Sequence, residues 1–187
     1  MCPFCGSLSR TRRLWQLINN DNLLKGNVLH FSPSRSLNKK LIKYNDIDYF
    51  SSDYEGDFLA DYKFDITNIN QEDEKYNAII CYHILEHIID DKKAISELYR
   101  VSKTNGTVYI QTPFKDGDIY EDFSITSTKK RKEHFGQEDH VRIYSVDGLK
   151  QRLEKVGFTV LIKTFKSSKE SLLYGFKSLE TVLILTK

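Results

Sequence analysis

Apolar positions along the chain keep two rhythms. Short runs in which nearly every residue, or every second one, is apolar fall at residues 27–31 (NVLHF), 47–51 (IDYFS), 60–66 (ADYKFDI), 78–82 (AIICY), 107–111 (TVYIQ), 158–165 and 179–185, and these predict strands. Helical spacing marks residues 9–24, with Leu14, Leu17 and Ile18 on one face and Gly26 beyond the end. It returns at residues 36–44, in a helix bearing Ala94, Ile95, Leu98 and Val101, and at residues 145–156, where Leu149, Leu153 and Val156 share a face before Gly157. Strands alternate with helices and close on a strand pair. That order predicts an α/β fold with a mostly parallel sheet and an antiparallel element near the C-terminus. Residues 116–139 have no clear period and are rich in charge and aromatics; such a stretch inside a compact domain is usually functional or mobile. Residues 166–177 read as a surface loop.

The pattern is organised around YNAIICYHILEHIIDDKKAISELYRV, residues 76–101. A buried strand there runs into a polar His/Glu turn and then a helix, which is how open α/β sheets present groups to a ligand at strand C-terminal ends. A nucleoside-type ligand laid across those ends needs an acidic side chain after the second strand for its ribose hydroxyls, and Asp53 is placed for that, with Tyr54 as a flat neighbour. Asp65 can meet an adenine amine while Ile66 covers the ring, and the turn Phe31-Ser32-Pro33-Ser34 lies where backbone N–H groups face the ligand's charged end. Each assignment has a plainer counterpart: an Asp after a strand is also an ordinary turn or helix-capping residue.

Composition narrows the partners. With 40% hydrophobic and 29% charged residues over 187 positions, the chain has the make-up of one soluble globular domain. A net charge of +2 gives no electrostatic case for nucleic acid, and the KKRK run at 129–132 is flanked by acidic stretches, so it reads as a solvated surface. No run approaches membrane-spanning length and the first residues lack a signal-peptide core, so a cytoplasmic location without a membrane partner is expected. Of the three cysteines, Cys81 is a small hydrophobe within a strand. Cys2 and Cys5 have the C-x-x-C spacing of half a zinc ribbon, but no second pair follows. A metal-free terminus with two oxidisable thiols is expected there.

The segments CPFCGSLSRTRRLWQL, VLHFSPS, YFSSDYE, FDIT, YNAIICYHILEHIIDD with AISELYRV, GTVYIQTPF, and YEDFSIT with FGQEDHVRIYS together resemble class I S-adenosylmethionine-dependent methyltransferases of the bacterial type-11-like branch. The resemblance spans nearly the whole chain. It implies a Rossmann-like three-layer fold whose mostly parallel seven-stranded sheet takes its last strand antiparallel. It also implies S-adenosylmethionine held by Phe31, Ser32, Asp53, Asp65, Ile66, Tyr82, His83 and Leu85, to which the strand-end reading adds Ser34 and Tyr54. The chain then divides into an N-terminal segment, residues 1–25, and a donor-binding domain, residues 26–187. Longer relatives carry a complete four-cysteine ribbon ahead of that domain, in keeping with a half-site at Cys2 and Cys5. The general class places a glycine-rich turn after its first strand, whereas this chain has none.

The acceptor is expected to be a small molecule, a sugar-containing one among the candidates. Methyl transfer is a displacement at carbon, so the protein mainly aligns the reactants. His140 or His83 can serve as the base, and Gln137, Glu138, Asp139 and Arg142 supply further hydrogen-bonding groups, with Glu138 joining the two histidines as a candidate catalytic residue. Glu138 and Arg142 can equally form a simple i,i+4 pair. Tyr120, Glu121 and Asp122 can close over the acceptor. Two rival readings stay open: a donor-binding relative whose chemistry has lapsed, motivated by the glycine-free turn, and a zinc hydrolase built on His83-x-x-Glu86-His87. The hydrolase motif belongs within a long helix, whereas here it begins where a strand ends, so no metal site is expected.

Overall fold

A computed structural model describes residues 1–20 and 24–187. Its central sheet has six strands among the described residues, in the order β2-β1-β3-β4-β8-β7. They are β1 Gly26–Phe31, β2 Ile47–Ser52, β3 Tyr76–Tyr82, β4 Ser102–Gln111, β7 Thr159–Lys166 and β8 Leu179–Thr186. The pairs β1·β2, β1·β3 and β3·β4 are parallel, whereas β8 runs antiparallel to both β4 and β7. A separate two-stranded ribbon pairs β5 Tyr120–Glu121 with β6 Arg142–Ile143.

Side-chain alternation sorts the core into two faces. From β3, Ile79 and Cys81 join Leu29, Val108, Ile110, Leu183 and Leu185 beneath α3 (Asp91–Val101) and α5 (Val146–Val156). Ala78, Ile80 and Tyr82 point the other way, with Val28, Tyr109 and Val182, onto α1 (Ser9–Asn20) and α2 (Arg35–Leu41). Both faces of β3 are therefore covered, which is why it reads as an unbroken apolar run. Helix α3 buries Ala94, Ile95, Leu98 and Val101, and the Asp90 side chain caps it by accepting from the Lys93 N–H at 3.0 Å. Helix α5 is opened by Ser145 and closed by Gly157 at φ 119°.

The mostly parallel α/β sheet with its antiparallel last strand is as the sequence predicts, with one correction in the strand count. Residues 60–66 do not form a seventh strand; they touch the sheet through a single bridge, Ser52 to Tyr62. On either side of that bridge serine hydroxyls take the place of ladder carbonyls. The Asp61 N–H donates to Ser51 Oγ at 3.0 Å and the Phe64 N–H to Ser52 Oγ at 2.9 Å. Side-chain partners of this kind compete directly with ladder bonds. Two stretches without a helical signal contain short helices, α4 (Thr128–Phe135) and α6 (Lys169–Tyr174). The predicted end of the first helix falls partly on residues 21–23, outside the described residues. No helix among the described residues is long and apolar enough to cross a membrane.

Candidate active site

Four neighbouring parallel strands end in a row, and the residue just beyond each one is polar: Ser32 after β1, Asp53 after β2, His83 after β3 and Thr112 after β4. The Ser32 hydroxyl donates to Asp53 Oδ1 at 2.7 Å, and its N–H donates to the Ser52 carbonyl. Asp53 is buried, and its Oδ2 accepts from the N–H groups of Gly56 at 2.8 Å and Phe58 at 3.1 Å. One acceptor position stays open on Oδ1, since a carboxylate oxygen takes two hydrogen bonds. Ser32 has φ 44° and His83 φ 57°, so both occupy the left-handed region that favours glycine. The missing glycine of the turn after β1 is thus answered by conformation: Ser32 adopts the backbone angle a glycine would take. Non-glycine residues held in this conformation cluster at active sites and ligand clamps.

Buried polar atoms line the same edge. Ser34 Oγ, His83 Nε2, Gln111 Oε1 and Thr112 Oγ1 have no hydrogen-bond partner among the described residues. Such atoms cost free energy unless a ligand or an ordered water meets them. Phe31, Ile66 and Leu85 are buried together in the core beneath this edge, and Tyr82 is buried on the opposite face. Asp65 is turned to its own chain, accepting from the N–H and hydroxyl of Thr67 at 2.8 Å each, the ordinary turn arrangement. Tyr54 is exposed, with the Lys63 ammonium 5.5 Å from its ring centre.

The turn after β3 forms a 3-10 turn, Leu85–His87, against the loop that leads into β6. The N–H of Val141 donates to the Glu86 carbonyl at 3.0 Å. Arg142, wholly buried, donates to the carbonyls of Leu85, Ile88 and Ile89 and to Glu121 Oε2 at 2.9 Å. Arg152 joins Glu121 to Asp91, and Tyr144 donates to Asp91 Oδ2 at 2.6 Å. Burial alone would raise the Glu121 carboxyl, but hydrogen bonds from Arg152 and Arg142 outweigh it and hold it below the usual carboxylate range. The sequence motif does not reveal this clamp, because Glu121 and Arg142 lie far apart along the chain and meet only through the β5–β6 ribbon.

Within the clamp, His83 Nδ1 lies 3.0 Å from Glu86 Oε1, and Glu86 is buried. Burial would push the Glu86 carboxyl up, but the His83 hydrogen bond and charge, with His87, hold it down. The rings of His87 and His140 meet edge to face with centroids 4.6 Å apart. His87 Nδ1 is 2.9 Å from Asp139 Oδ2, and His140 Nδ1 is 3.2 Å from the Phe135 carbonyl oxygen. Burial, then the neighbouring His87, lowers the His140 pKa and favours the neutral ring. The structure therefore brings His83 and His140 to either side of Glu86. It does not bring Glu138 there: that carboxylate is exposed and pairs with Lys132 at 3.1 Å. Nor do Glu138 and Arg142 pair, because the arginine is committed to Glu121.

A cavity of about 1030 Å³ opens between α1, the start of α2 and the segment around Tyr174, lined by Arg12, Trp15, Arg35 and Lys40. None of the expected donor-contacting residues lines it, so its size is no measure of the strand-end site. At its rim, hydrogen bonding with Ser7 lowers the exposed Cys5 thiol to about 7, and Cys2 and Cys5 are both free. A lowered thiol pKa favours the reactive thiolate form.

Comparison with known proteins agrees with this geometry. Residues 12–162 match the sequence profile of the family described as "Methyltransferase domain". The chain belongs to that family. No curated protein matches it. An S-adenosylmethionine-dependent methyltransferase from Archaeoglobus fulgidus superimposes with TM-score 0.67 at 18% identity, over 95% of this chain and 93% of that one. Phosphoethanolamine N-methyltransferase 2 of Haemonchus contortus, solved with S-adenosyl-L-methionine, gives 0.66 at 14% identity over 97% of this chain and 53% of its own. A putative sarcosine dimethylglycine methyltransferase from Galdieria sulphuraria gives 0.65 at 14% identity, over 95% and 85%. At these identities the likeness is one of fold, and the fold is that of class I S-adenosylmethionine-dependent methyltransferases.

Proposed function

We propose that this chain transfers the methyl group of S-adenosylmethionine to a small polar acceptor bound beside the His83–Glu86 pair. S-adenosylmethionine supplies an electrophilic methyl on a sulfonium, which leaves as S-adenosylhomocysteine. The donor lies across the ends of β1, β2 and β3, with a ribose hydroxyl donating to the open position on Asp53 Oδ1 and the charged end near Ser32 and Ser34. Asp65 and Ile66 flank the base, and Tyr54 folds over the ribose side.

The observation that carries the reading is the His83 ring. Its Nδ1 is held by Glu86 at 3.0 Å, while Nε2 is buried without a partner among the described residues. A carboxylate on one imidazole nitrogen fixes the tautomer and leaves the other nitrogen as a proton acceptor. The acceptor's hydroxyl or amine proton passes to His83 Nε2 as the nucleophile meets the methyl carbon. The clamp of Arg142, Glu121 and Arg152 holds the turn and the acceptor-side loop in register, which matters because alignment accounts for most of the acceleration in such a displacement. Isothermal titration with S-adenosylmethionine and with S-adenosylhomocysteine tests the assignment: one saturable site per chain is expected for each. Absence of binding by either at millimolar ligand overturns it.

A further inference from the structure

Glu86, His87 and His140 each direct one possible ligand atom into the same space, with those atoms all within 4.8 Å of one another. Two independent features single out this trio. First, Glu86 Oε2 and His140 Nε2 are both buried without a hydrogen-bond partner among the described residues. A buried carboxylate oxygen and a buried ring nitrogen left unpaired side by side are costly unless a cation joins them. Second, the remaining polar atom of every member is already fixed. His87 Nδ1 is held by Asp139 at 2.9 Å, His140 Nδ1 by the Phe135 carbonyl at 3.2 Å, and Glu86 Oε1 by His83 at 3.0 Å. Metal-binding histidines are oriented in this way, the far ring nitrogen donating to a carboxylate or carbonyl so that the near one presents its lone pair.

We propose that Glu86, His87 and His140 hold one divalent transition-metal ion, zinc in the first place, with its open side turned to the oxygen of the acceptor. Two imidazoles and one carboxylate form a set suited to zinc, and a three-residue set leaves a position for a substrate atom. Ligand atoms about 2.1 Å from a tetrahedral ion stand about 3.4 Å apart, so from separations within 4.8 Å the trio draws in by at most about 1.4 Å. His87 can supply that adjustment, since its side chain is 28% exposed and stands at the mouth of the cluster. The arrangement differs from the inverted zinc-peptidase pattern of the sequence: His83 is turned onto Glu86, and His140, more than fifty residues downstream, takes its place as a ligand. A cation here polarises an acceptor hydroxyl and makes its proton easier for His83 to take. Ion binding stands on the geometry alone; the role toward the acceptor rests on the methyl-transfer reading.

The test begins with full-length protein stripped by chelator and dialysed. Titration with Zn²⁺ is expected to give one site per chain, and Co²⁺ to give the intense visible absorption of a four-coordinate ion. His140→Ala and His87→Ala should each weaken Zn²⁺ binding more than a hundredfold, and Asp139→Asn by about tenfold to a hundredfold, as expected for a partner one bond removed from the ion. A Cys2→Ser/Cys5→Ser double variant should keep the site, because neither thiol belongs to the cluster. Parallel titration of the metal-free protein with S-adenosylhomocysteine, together with circular dichroism of each variant, separates misfolding from ligand loss and keeps the donor reading independent. No saturable Zn²⁺ site in the parent, loss of the site in the cysteine variant, or parental affinity in a folded His140→Ala protein would each overturn the proposal.

Discussion

Ser32 and Asp53 face each other across the ends of β1 and β2, the serine hydroxyl donating to the aspartate at 2.7 Å while the serine backbone sits at φ 44°. The pair ties two strand ends with one side-chain bond and holds a strained turn at the place proposed for the donor's ribose. Asp53→Ala should weaken S-adenosylmethionine binding by about 1–3 kcal/mol through loss of charge-assisted hydrogen bonds. Calorimetric titration of the variant measures it, and an unchanged affinity would show that the ribose lies elsewhere.

Backbone strain at Ser32 can be separated from its hydroxyl. Ser32→Ala and Ser32→Gly both lose the bond to Asp53, but only glycine relieves the left-handed conformation. The glycine variant should therefore be the more stable of the two by about 1 kcal/mol. Urea midpoints for the pair decide it; equal midpoints would mean that the turn relaxes at no cost.

Arg142 carries the clamp. Its guanidinium is wholly buried and serves three backbone carbonyls as well as Glu121. Arg142→Ala should destabilise the protein by about 3 kcal/mol or more, since it takes from Glu121 one of its two guanidinium partners and leaves the Ile88 and Ile89 carbonyls without their side-chain donor. Arg142→Lys should recover only a small part, because an ammonium cannot span the same forked set. Thermal unfolding of both variants is the check.

His30 predicts an acid sensitivity of its own. The ring lies inside the sheet with Nδ1 2.9 Å from the Tyr49 hydroxyl, and burial pushes its pKa down to about 3. The unfolded chain, with an ordinary histidine, binds more protons than the folded one between that value and about 6.5. Stability is therefore whole above about pH 6.5 and falls as the pH drops, by about 2 kcal/mol at pH 5 from this residue. His30→Phe should flatten the slope of unfolding free energy between pH 7 and 5 relative to the parent. Parallel slopes would show that carboxylates, not His30, carry the effect.

What the sequence made legible followed from burial. The run 78–82 and the helix ending at Val101 lie where the core is closed on both sides, so their apolar spacing had no competing explanation. The polar elements were hidden for the opposite reason. Helix α4 reads TKKRKEHF and buries only Phe135; its Ser127 cap and the left-handed Gly136 hold it, not an apolar face. Residues 60–66 alternated like a strand, yet Ser51 and Ser52 took the N–H groups of Asp61 and Phe64 by side chain. At the candidate site, Asp53 and His83 could be placed by counting from strand ends. By the same counting Thr112 was available and went unread. Glu86, His87 and His140 could not be assembled that way, because the contact between the turn after β3 and the loop before β6 is a tertiary one, drawn together by Arg142.

Strand β8 lies between β4 and β7, although it is the last of the sheet to be synthesised. A nascent chain whose ribosome has not yet passed residue 186 holds β4 with one bare edge and β7 with no partner. Those edges are templates for pairing with other chains until β8 arrives. Stalled or prematurely ended translation should therefore yield aggregation rather than a smaller folded species, and holding the unfinished sheet soluble becomes a task for chaperones.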